Sequence, residues 1–423
     1  MSIVVTKSSL VAVTSPPELG TLTGSIINLS SFDKCFAPVP LHLLLVFDQP
    51  INDPVQTIKK AVSMALVHYH PMAGRLVAGA DDRELIHIAC TGEGVSFVGA
   101  SASCTLDQVS TSPLLVRDLT LRYPADYCRP GEPLLLMQVT EFACGGFTVG
   151  VTWNHVVADG AGMAQFLQAV GELARGMPAP SVVPVRSVVD GSLPSLPSEV
   201  VAAMRSQMSV GMEEMAILEV TVPWSLISRV KRECRGECTT FDAVAALFWQ
   251  CRTRAIATSD PDTPAPLFFP SSMRWLIGGA AKHGYYGNCV MRQPVQAKSG
   301  TVASGDVKDL VKLIRLAKRK NIPGMLTITN GGGGGTETPP PRCKYNTLVV
   351  TSLRNLGLDA VDLGRGSPAR VMPPLCKAER TASNFCVLCP PCKGKDGVNV
   401  VSICVKPEHA DAFAKELAAL GVC

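Results

Sequence analysis

Apolar and polar positions recur along this chain with the periods of both helices and strands. After Asp53-Pro54, a carboxylate and a proline that favour a helix start, apolar residues follow at helical spacing as far as Tyr69. Two apolar-rich runs, Leu134–Ala143 and Phe147–Asn154, are separated by a Cys-Gly-Gly segment. This pattern predicts one core-facing helix and, further along, a β-hairpin.

The second run of the predicted hairpin leads directly into His155-Val156-Val157-Ala158-Asp159-Gly160. Helical spacing over Met163–Arg175, with Gly176 after it, predicts a helix next. A histidine between a strand end and a glycine-rich turn is held at a chain reversal, where a cleft can form. His155 is therefore the candidate catalytic residue. The alternative is a core histidine beside an aspartate that only caps the helix.

The domain organisation follows from length and local composition. A chain of 423 residues is too long for one core, and the stretch from Met177 to Pro197 is rich in proline and serine with little periodicity. Strand and helix patterns alternate on both sides of this stretch, which predicts the α/β class. The predicted division is an N-terminal domain at 1–176, a crossover linker at 177–210 and a C-terminal domain at 211–423.

Composition and charge narrow the range of partners. Hydrophobic residues make up 47% of the chain, charged residues 17%, and the net charge is +4. The one basic cluster, Lys312 to Lys320, shares a predicted helix with an apolar stripe, so it is expected to be a solvated face and not a nucleic-acid site. Met1–Leu10 lacks the pattern of a signal peptide, and no apolar run reaches the roughly 20 residues that span a membrane. We expect a cytoplasmic protein whose sixteen cysteines are reduced.

Two further segments are candidates for a metal or phosphate site. Cys386, Cys389 and Cys392 have C-x-x-C-x-x-C spacing, but a zinc site needs a fourth ligand and no second pair is present. Gly331–Gly335 followed by Pro339–Pro341 lacks the lysine of a phosphate-binding loop and is expected to be a surface loop. Serine-hydrolase, metalloprotease and dinucleotide motifs are also absent from the sequence. We expect neither a metal nor a bound cofactor.

The segment His155–Gly160 resembles the H-x-x-x-D-G signature of the plant BAHD acyl-CoA-dependent acyltransferases. Asp362-Leu363-Gly364-Arg365-Gly366 is similar to the second signature of that family, Asp-Phe-Gly-Trp-Gly. Other matching blocks follow in family order: Leu29–Asp33, Pro71–Leu76, Thr239–Trp249, Arg274 and Gly284–Asn288. On these blocks the chain is identified as a member of the family.

The resemblance implies two chloramphenicol-acetyltransferase-like α/β domains with a channel between them, and a segment near 350–375 that packs with the first domain. It implies a monomer that moves an acyl group from a coenzyme A thioester, which is a co-substrate, to the hydroxyl or amine of a small plant metabolite. Family frequency favours an aromatic, hydroxycinnamoyl-type donor, with acetyl and benzoyl groups left open.

Residue roles carry over from the matching positions. His155 is expected to be the general base, Thr351 to support the oxyanion, and Asp362 to lie with the active site or to hold the loop beside it. Structural support is expected from Asp159, Gly160, Arg274, Gly364 and Gly366. Coenzyme A contacts are expected from Thr239, Thr240, Tyr286 and Asn288. The alternatives are a helix cap for Thr240 and packing inside the protein for Tyr286 and Asn288. Asp159 either orients His155 directly or pairs with Arg274, and we predict the pair.

The sequence departs from the family pattern at several positions. Leu353 and Arg365 stand where family members often have tryptophan, and Leu363 stands where the second signature has phenylalanine. Asn154 stands where many members have an additional histidine, directly before the histidine that the reaction needs, which is His155 here. The first two departures leave open a non-catalytic member that binds a ligand or partner. A peptide-condensation enzyme shares the first signature, but it would need carrier domains for which this chain has no room.

Overall fold

A computed structural model gives the fold and describes residues 4–19, 23–36, 39–79, 85–110, 113–124, 127–187, 193–207, 214–256, 260–278, 281–329, 345–375 and 384–422. Helices and strands are interleaved throughout these ranges. The α/β class predicted from the sequence is therefore confirmed.

The elements are numbered in chain order. The strands are β1 (Val5–Lys7), β2 (Val11–Val13), β3 (Ile26–Asn28), β4 (Pro40–Phe47), β5 (Arg75–Ala78), β6 (Leu85–Ala89), β7 (Val95–Ala102), β8 (Leu135–Phe142), β9 (Phe147–Asn154), β10 (Ala216–Pro223), β11 (Leu267–Ser272), β12 (Val290–Val295), β13 (Leu348–Ser352), β14 (Arg370–Met372), β15 (Phe385–Leu388) and β16 (Gly397–Val405). The helices are α1 (Ser31–Phe36), α2 (Pro54–His68), α3 (Leu106–Ser110), α4 (Pro113–Asp118), α5 (Gly160–Ala174), α6 (Ser198–Gln207), α7 (Trp224–Glu233), α8 (Thr240–Ile256), α9 (Ala281–Gly284), α10 (Ser299–Ser304), α11 (Val307–Thr329) and α12 (Pro407–Ala419).

The chain divides into two compact units, and neither is continuous in sequence. The first unit is formed by Met1–Ser195, Met273–Cys289 and Arg354–Cys376. The second is formed by Leu196–Ser272, Val290–Leu353 and Lys377–Cys423. The chain passes from the first unit to the second next to Ser195, and two later segments return to the first unit.

The first unit is built on a sheet with strand order β1-β7-β8-β9-β4-β14, and β2 also pairs with β7. The predicted hairpin is present as β8 and β9, which run antiparallel with Leu135 opposite Trp153. On its other side β9 pairs with β4 over its whole length. Since β9 has a hydrogen-bonded neighbour on each side, the end of this strand is a rigid place from which to present a side chain. A second sheet in this unit has the order β3-β6-β5.

Helix α2 begins where the sequence predicts. The Asp53 carboxylate accepts a hydrogen bond from the Gln56 backbone N–H at 3.2 Å, and Pro54 occupies the first turn, where its missing N–H costs nothing. The apolar stripe of the helix, which includes Ile58 and Val62, is fully buried. Helix α2 contacts α5 and β8, so the stripe closes one face of the main sheet.

The second unit is built on a sheet with strand order β10-β16-β15-β13-β11-β12. Strand β13 runs parallel to both β11 and β15, and the other neighbours are antiparallel. Helix α8 is buried on nearly every side, as its apolar sequence requires. Its Trp249 indole donates to the Ala265 carbonyl at 2.9 Å, and its Phe248 packs edge-on against Phe413 of α12. This helix is the centre of the second core.

The remaining segments singled out in the sequence have varied outcomes. Cys386 and Cys389 are buried at β15, where the Cys386 thiol lies 3.4 Å from the Ser402 hydroxyl. Gly331–Gly335 and Pro339–Pro341 lie outside the described residues. Across the described ranges, no group of three or more His, Cys, Asp or Glu side chains could hold a metal ion. In the same part of the chain, no helix has both the length and the apolar character needed to cross a membrane.

The burial of Phe248 yields a stability prediction. Phe248→Ala should lower the free energy of unfolding of the second unit by about 3–5 kcal/mol, because it removes a fully buried ring and leaves a cavity. Leu316→Ala, at a position of α11 that is 46% exposed, is the control and should change it by less than about 0.5 kcal/mol. Urea unfolding followed by tryptophan fluorescence measures both, and equal losses would contradict the assignment of the core to α8.

Candidate active site

His155 is the first residue after β9, and its backbone continues the pairing of that strand. The His155 N–H donates to the Val39 carbonyl, just before β4, at 2.9 Å. The imidazole stacks on the ring of Phe36, the last residue of α1, with ring centroids 4.2 Å apart and planes 11° from parallel. Only 7% of the residue is exposed. Both the backbone and the ring of His155 are therefore held in place.

The turn that follows His155 is closed by hydrogen bonds from the end of β9. The Asn154 side-chain oxygen accepts from the Val156 N–H at 3.0 Å, and its backbone carbonyl accepts from the Val157 N–H at 3.0 Å. The Trp153 indole donates to the Ala158 carbonyl at 2.9 Å. At position 154 family members often have an additional histidine. Here Asn154 shapes the turn through these hydrogen bonds.

Asp159 ends the turn, and its carboxylate is among the most heavily bonded in the protein. Its Oδ1 accepts from the backbone N–H groups of Ala161 and Gly162 at 3.1 and 3.0 Å, which caps α5. Arg274 donates from Nη1 to Oδ2 at 2.7 Å and from Nη2 to Oδ1 at 2.8 Å, a two-pronged ion pair. The Cys289 N–H donates to Oδ2 at 3.1 Å. The predicted pairing with Arg274 is confirmed, and the capping role exists alongside it.

Burial of the ion pair affects its electrostatics. Asp159 is 2% exposed, and the Arg274 side chain is 21% exposed. Burial alone would lower the pKa of Arg274, but the adjacent Asp159 carboxylate more than offsets this and the pKa is raised. The guanidinium is therefore charged at any physiological pH. Its Nη2 also donates to the Gly287 carbonyl at 2.9 Å, which ties the pair to a second stretch of backbone.

The glycines after Asp159 are needed for a reason other than a sharp turn. Helix α5 begins at Gly160, three residues earlier than the sequence predicted, and neither Gly160 nor Gly162 has a positive φ. A Cβ atom on Gly162 would overlap the carbonyl oxygen of Tyr286. Close approach of two backbones thus requires glycine at 162, and it brings the start of α5 against the segment that carries Arg274 and Asn288.

Tyr286 and Asn288 are not placed as contacts for coenzyme A. Tyr286 is 1% exposed, and its ring packs against Tyr69 with centroids 4.9 Å apart. Asn288 is fully buried, and its side-chain amide donates to the His155 carbonyl at 2.7 Å. Of the two alternatives left open by the sequence, this burial supports packing inside the protein and gives no support to a contact with coenzyme A.

Asp362 holds the loop of the second signature. Its Oδ1 accepts from the N–H groups of Gly364 and Gly366, each at 2.8 Å, and both glycines have a positive φ that other residues rarely adopt. Arg175 donates to the Asp362 carbonyl and lies 3.6 Å from its carboxylate. Burial would raise the pKa of Asp362, but the two backbone N–H groups and Arg175 lower it overall. These contacts support the loop-holding alternative for Asp362 and give no support to a chemical role.

The remaining predicted residues belong to the second unit. Thr351 is half-buried in β13, opposite Val387 of β15. Thr239, and not Thr240, caps α8: its hydroxyl accepts from the Asp242 N–H at 3.1 Å, and the Asp242 carboxylate accepts from the Thr239 N–H at 3.0 Å. The expected cap at Thr240 is wrong by one residue. The Thr240 hydroxyl instead accepts from Lys231 Nζ at 3.0 Å, and it is half-buried.

Three residues around His155 were given no role from the sequence. Phe36 stacks on the imidazole, and Asp33 and Arg186 form a buried ion pair of 3.1 Å beside the same turn. Asp33 lies in Leu29–Asp33, a block that matched the family. The match indicated family membership but gave this residue no chemical role. Arg186 lies in the predicted linker, where the proline-rich composition gave no reason to expect a buried charge.

The chain is similar to several known proteins. A family model described as the Transferase family matches residues 1–420. Acyl transferase 15 from Oryza sativa subsp. japonica is 44% identical over 444 residues, with 99% of each chain covered. Myricetin 3-O-glucosyl 1,2-rhamnoside 6'-O-caffeoyltransferase AT2 from Crocosmia x crocosmiiflora is 34% identical over 439 residues, again with 99% of each covered. The crystal structure of vinorine synthase matches with a TM-score of 0.77 and 18% identity over 98% of each chain, which shows a shared fold.

The Asp159–Arg274 pair generates a prediction for both activity and stability. Asp159→Ala and Arg274→Ala should each lower the free energy of unfolding by about 3–5 kcal/mol, because each leaves one buried charge without its partner. Activity should fall with stability in both variants. The double variant should lose little more than either single one, since the two residues act as one unit.

Thermal unfolding and an activity assay of the four proteins measure this cycle. Asp262→Ala, which breaks the exposed Asp262–Lys298 pair, is the control and should leave both quantities nearly unchanged. Additive losses in the double variant would show that the two side chains act independently.

Proposed function

Because this chain belongs to the Transferase family, the plant BAHD acyl-CoA-dependent acyltransferases, we propose that it moves an aromatic, hydroxycinnamoyl-type acyl group to a hydroxyl or amine of a small plant metabolite, with His155 as general base. The protein is an acyltransferase that uses a coenzyme A thioester as donor and a small molecule as acceptor.

The observation that carries the proposal is the rigid presentation of His155 at the end of β9. An alcohol is too weak an acid to attack a thioester at neutral pH unless a base takes its proton as the new bond forms. An imidazole, with an ordinary pKa of about 6.5, suits this task. In the proposed step the acceptor O–H proton passes to His155 while its oxygen bonds to the thioester carbon. When the carbon–sulfur bond breaks, His155 returns the proton to the thiolate, so no acyl-enzyme is needed.

The negative charge that forms on the thioester oxygen needs a hydrogen-bond donor. We propose the hydroxyl of Thr351, on the basis of its position eleven residues before the second signature. Leu353 and Arg365 cannot supply the indole donors that relatives often have at these positions. Arg365 is exposed and Leu353 is half-buried, with its N–H bonded to the Leu388 carbonyl. Thr351 is therefore expected to carry more of the stabilisation here.

A contact for coenzyme A is proposed at Thr239 and Thr240. Thr239 is exposed at the start of α8, and Lys231 donates to the hydroxyl of Thr240. Backbone N–H groups at a helix start and a nearby ammonium group both favour phosphate. The engaged Thr240 hydroxyl can still accept or donate a second hydrogen bond.

The aromatic donor rests on the named activity of a relative. The Crocosmia protein at 34% identity is named a caffeoyltransferase, and caffeoyl is a hydroxycinnamoyl group. That protein is named for transfer to oxygen, which favours a hydroxyl acceptor and leaves an amine open. We further propose that the protein is a monomer in the cytoplasm. No cysteine in the described ranges forms a disulfide, which fits a reducing compartment.

The donor and acceptor can be identified directly. The purified protein is incubated with caffeoyl-, coumaroyl-, benzoyl- and acetyl-coenzyme A against a panel of plant alcohols and amines, and products are read by mass spectrometry. A hydroxycinnamoyl product with an alcohol or amine supports the proposal. Binding of coenzyme A without any turnover would favour the non-catalytic alternative suggested by Leu353 and Arg365.

His155→Ala should lower turnover on an alcohol acceptor by at least about a hundredfold, because it removes general-base assistance. Coenzyme A binding and the fold should be kept. His283→Ala, which alters an exposed histidine on α9, is the control and should turn over at the wild-type rate. Most of the activity surviving in His155→Ala would exclude His155 as the base. A strongly basic amine should show a smaller loss, since it can give its proton to water.

Thr351→Val should lower kcat more than it raises the KM for the donor, if the hydroxyl stabilises the oxyanion. Thr351→Ser keeps the hydroxyl and should retain most of the turnover, which separates the hydrogen bond from side-chain shape. Steady-state kinetics with the best donor measures both. A raised KM with unchanged kcat in Thr351→Val would assign Thr351 to donor binding alone.

A further inference from the structure

A second buried carboxylate lies beside the catalytic turn, on Asp33. It has no exposed surface. Its Oδ2 accepts from the N–H and the hydroxyl of Ser30 at 2.9 and 2.8 Å. Its Oδ1 accepts from the Asn288 side-chain amide at 2.9 Å and pairs with Arg186 Nη2 at 3.1 Å. The carboxylate therefore gathers donors that come from three separate stretches of the chain.

Two of these donors also reach the backbone of the catalytic turn. The Asn288 side-chain nitrogen donates to the His155 carbonyl at 2.7 Å and lies 3.3 Å from the Val156 carbonyl. Arg186 Nη2 donates to the same Val156 carbonyl at 3.0 Å. A carboxylate cannot bond to a carbonyl, because both are acceptors. Asn288 and Arg186 are the donors that join them.

The placement of these contacts is what links them to catalysis. Strand β9 ends at Asn154, so the carbonyls of His155 and Val156 lie beyond its ladder and need other partners. The direction of the His155 carbonyl is set by the ψ angle of that residue, and the same backbone sets where the imidazole points. Donors that hold this carbonyl in one direction therefore also hold the imidazole in one direction.

We propose that Asp33, acting through Asn288 and Arg186, is a positioning residue for His155. The proposal rests on the proposed function, since it assumes that His155 is the base. Asp33 keeps both donors aimed at the turn, and all three residues are buried. Burial alone would lower the pKa of Arg186, but the adjacent Asp33 carboxylate helps to raise it, so the guanidinium stays charged inside the protein.

The first test is Asn288→Leu, which keeps the size of the side chain and removes its donors. Turnover should fall by about tenfold or more, since a displacement of about 1 Å at a reacting group can cost about a hundredfold. The KM for the donor should stay within about twofold, because Asn288 has no surface for it. Gln138→Leu is the matched control: Gln138 is also fully buried and donates to a backbone carbonyl, that of Asp118, at 2.8 Å.

A merely structural role would lower activity through stability in both variants alike. The decisive measurement is therefore a cycle with His155→Ala. If Asn288 acts through the imidazole, Asn288→Leu should change the residual turnover of His155→Ala by less than about twofold. Thermal midpoints of all the proteins show whether stability follows the same cycle.

The outcomes separate this proposal from the proposed function. Wild-type turnover in His155→Ala would overturn both. If His155→Ala loses turnover and Asn288→Leu lowers the residual turnover of that variant as strongly as it lowers that of the wild type, only the positioning role is overturned. The same holds if Gln138→Leu loses as much turnover as Asn288→Leu. Should Asn288→Leu fail to fold, Arg186→Lys keeps the charge but cannot span Asp33 and the Val156 carbonyl as the guanidinium does. It should lower kcat by several-fold without raising the donor KM, and unchanged kcat would overturn the proposal.

Discussion

The turn that follows His155 depends on one constraint, which is that the buried Asp159 carboxylate is fully occupied by hydrogen-bond donors. Two donors are the backbone N–H groups of Ala161 and Gly162 in the first turn of α5, two belong to Arg274, and one is the N–H of Cys289. A buried charge without such partners would cost several kcal/mol. The carboxylate therefore binds the helix start and the 273–289 segment to each other. His155, four residues earlier, takes its position from that junction.

The turn is held from both ends by the same kind of chemistry. On one side Asp159 pairs with Arg274, and on the other Asp33 pairs with Arg186 and engages Asn288. Each arginine also donates to a backbone carbonyl, of Gly287 or of Val156. The two ion pairs therefore orient arginines that hold backbone carbonyls in place. The ring of His155 is held separately, by stacking on Phe36.

Local patterns in the sequence predicted the parts of this site that local physics determines. The cap at Asp53, the β8–β9 hairpin and the position of His155 after a strand all follow from residues close in the chain. The pairing of Asp159 with Arg274 came from family resemblance, since 115 residues separate them. Arg186 was missed and the role of Asn288 was left open because their partners are distant, and a sequence does not show which carbonyls a strand leaves unpaired. Gly162 was read as a turn residue, while its real constraint is the Tyr286 carbonyl that approaches it.

The discontinuity of the first unit limits how this gene could be divided. A fragment that stops at Ser195 would encode His155, Asp159 and Asp33, but it would lack Arg274 and Asn288 from the second half of the coding sequence. It would also lack β14, which pairs with β4 at one edge of the main sheet. Such a fragment retains the carboxylates without their distant donors. Coexpressed halves would therefore have to associate before Asp159 and Asp33 could gain these partners.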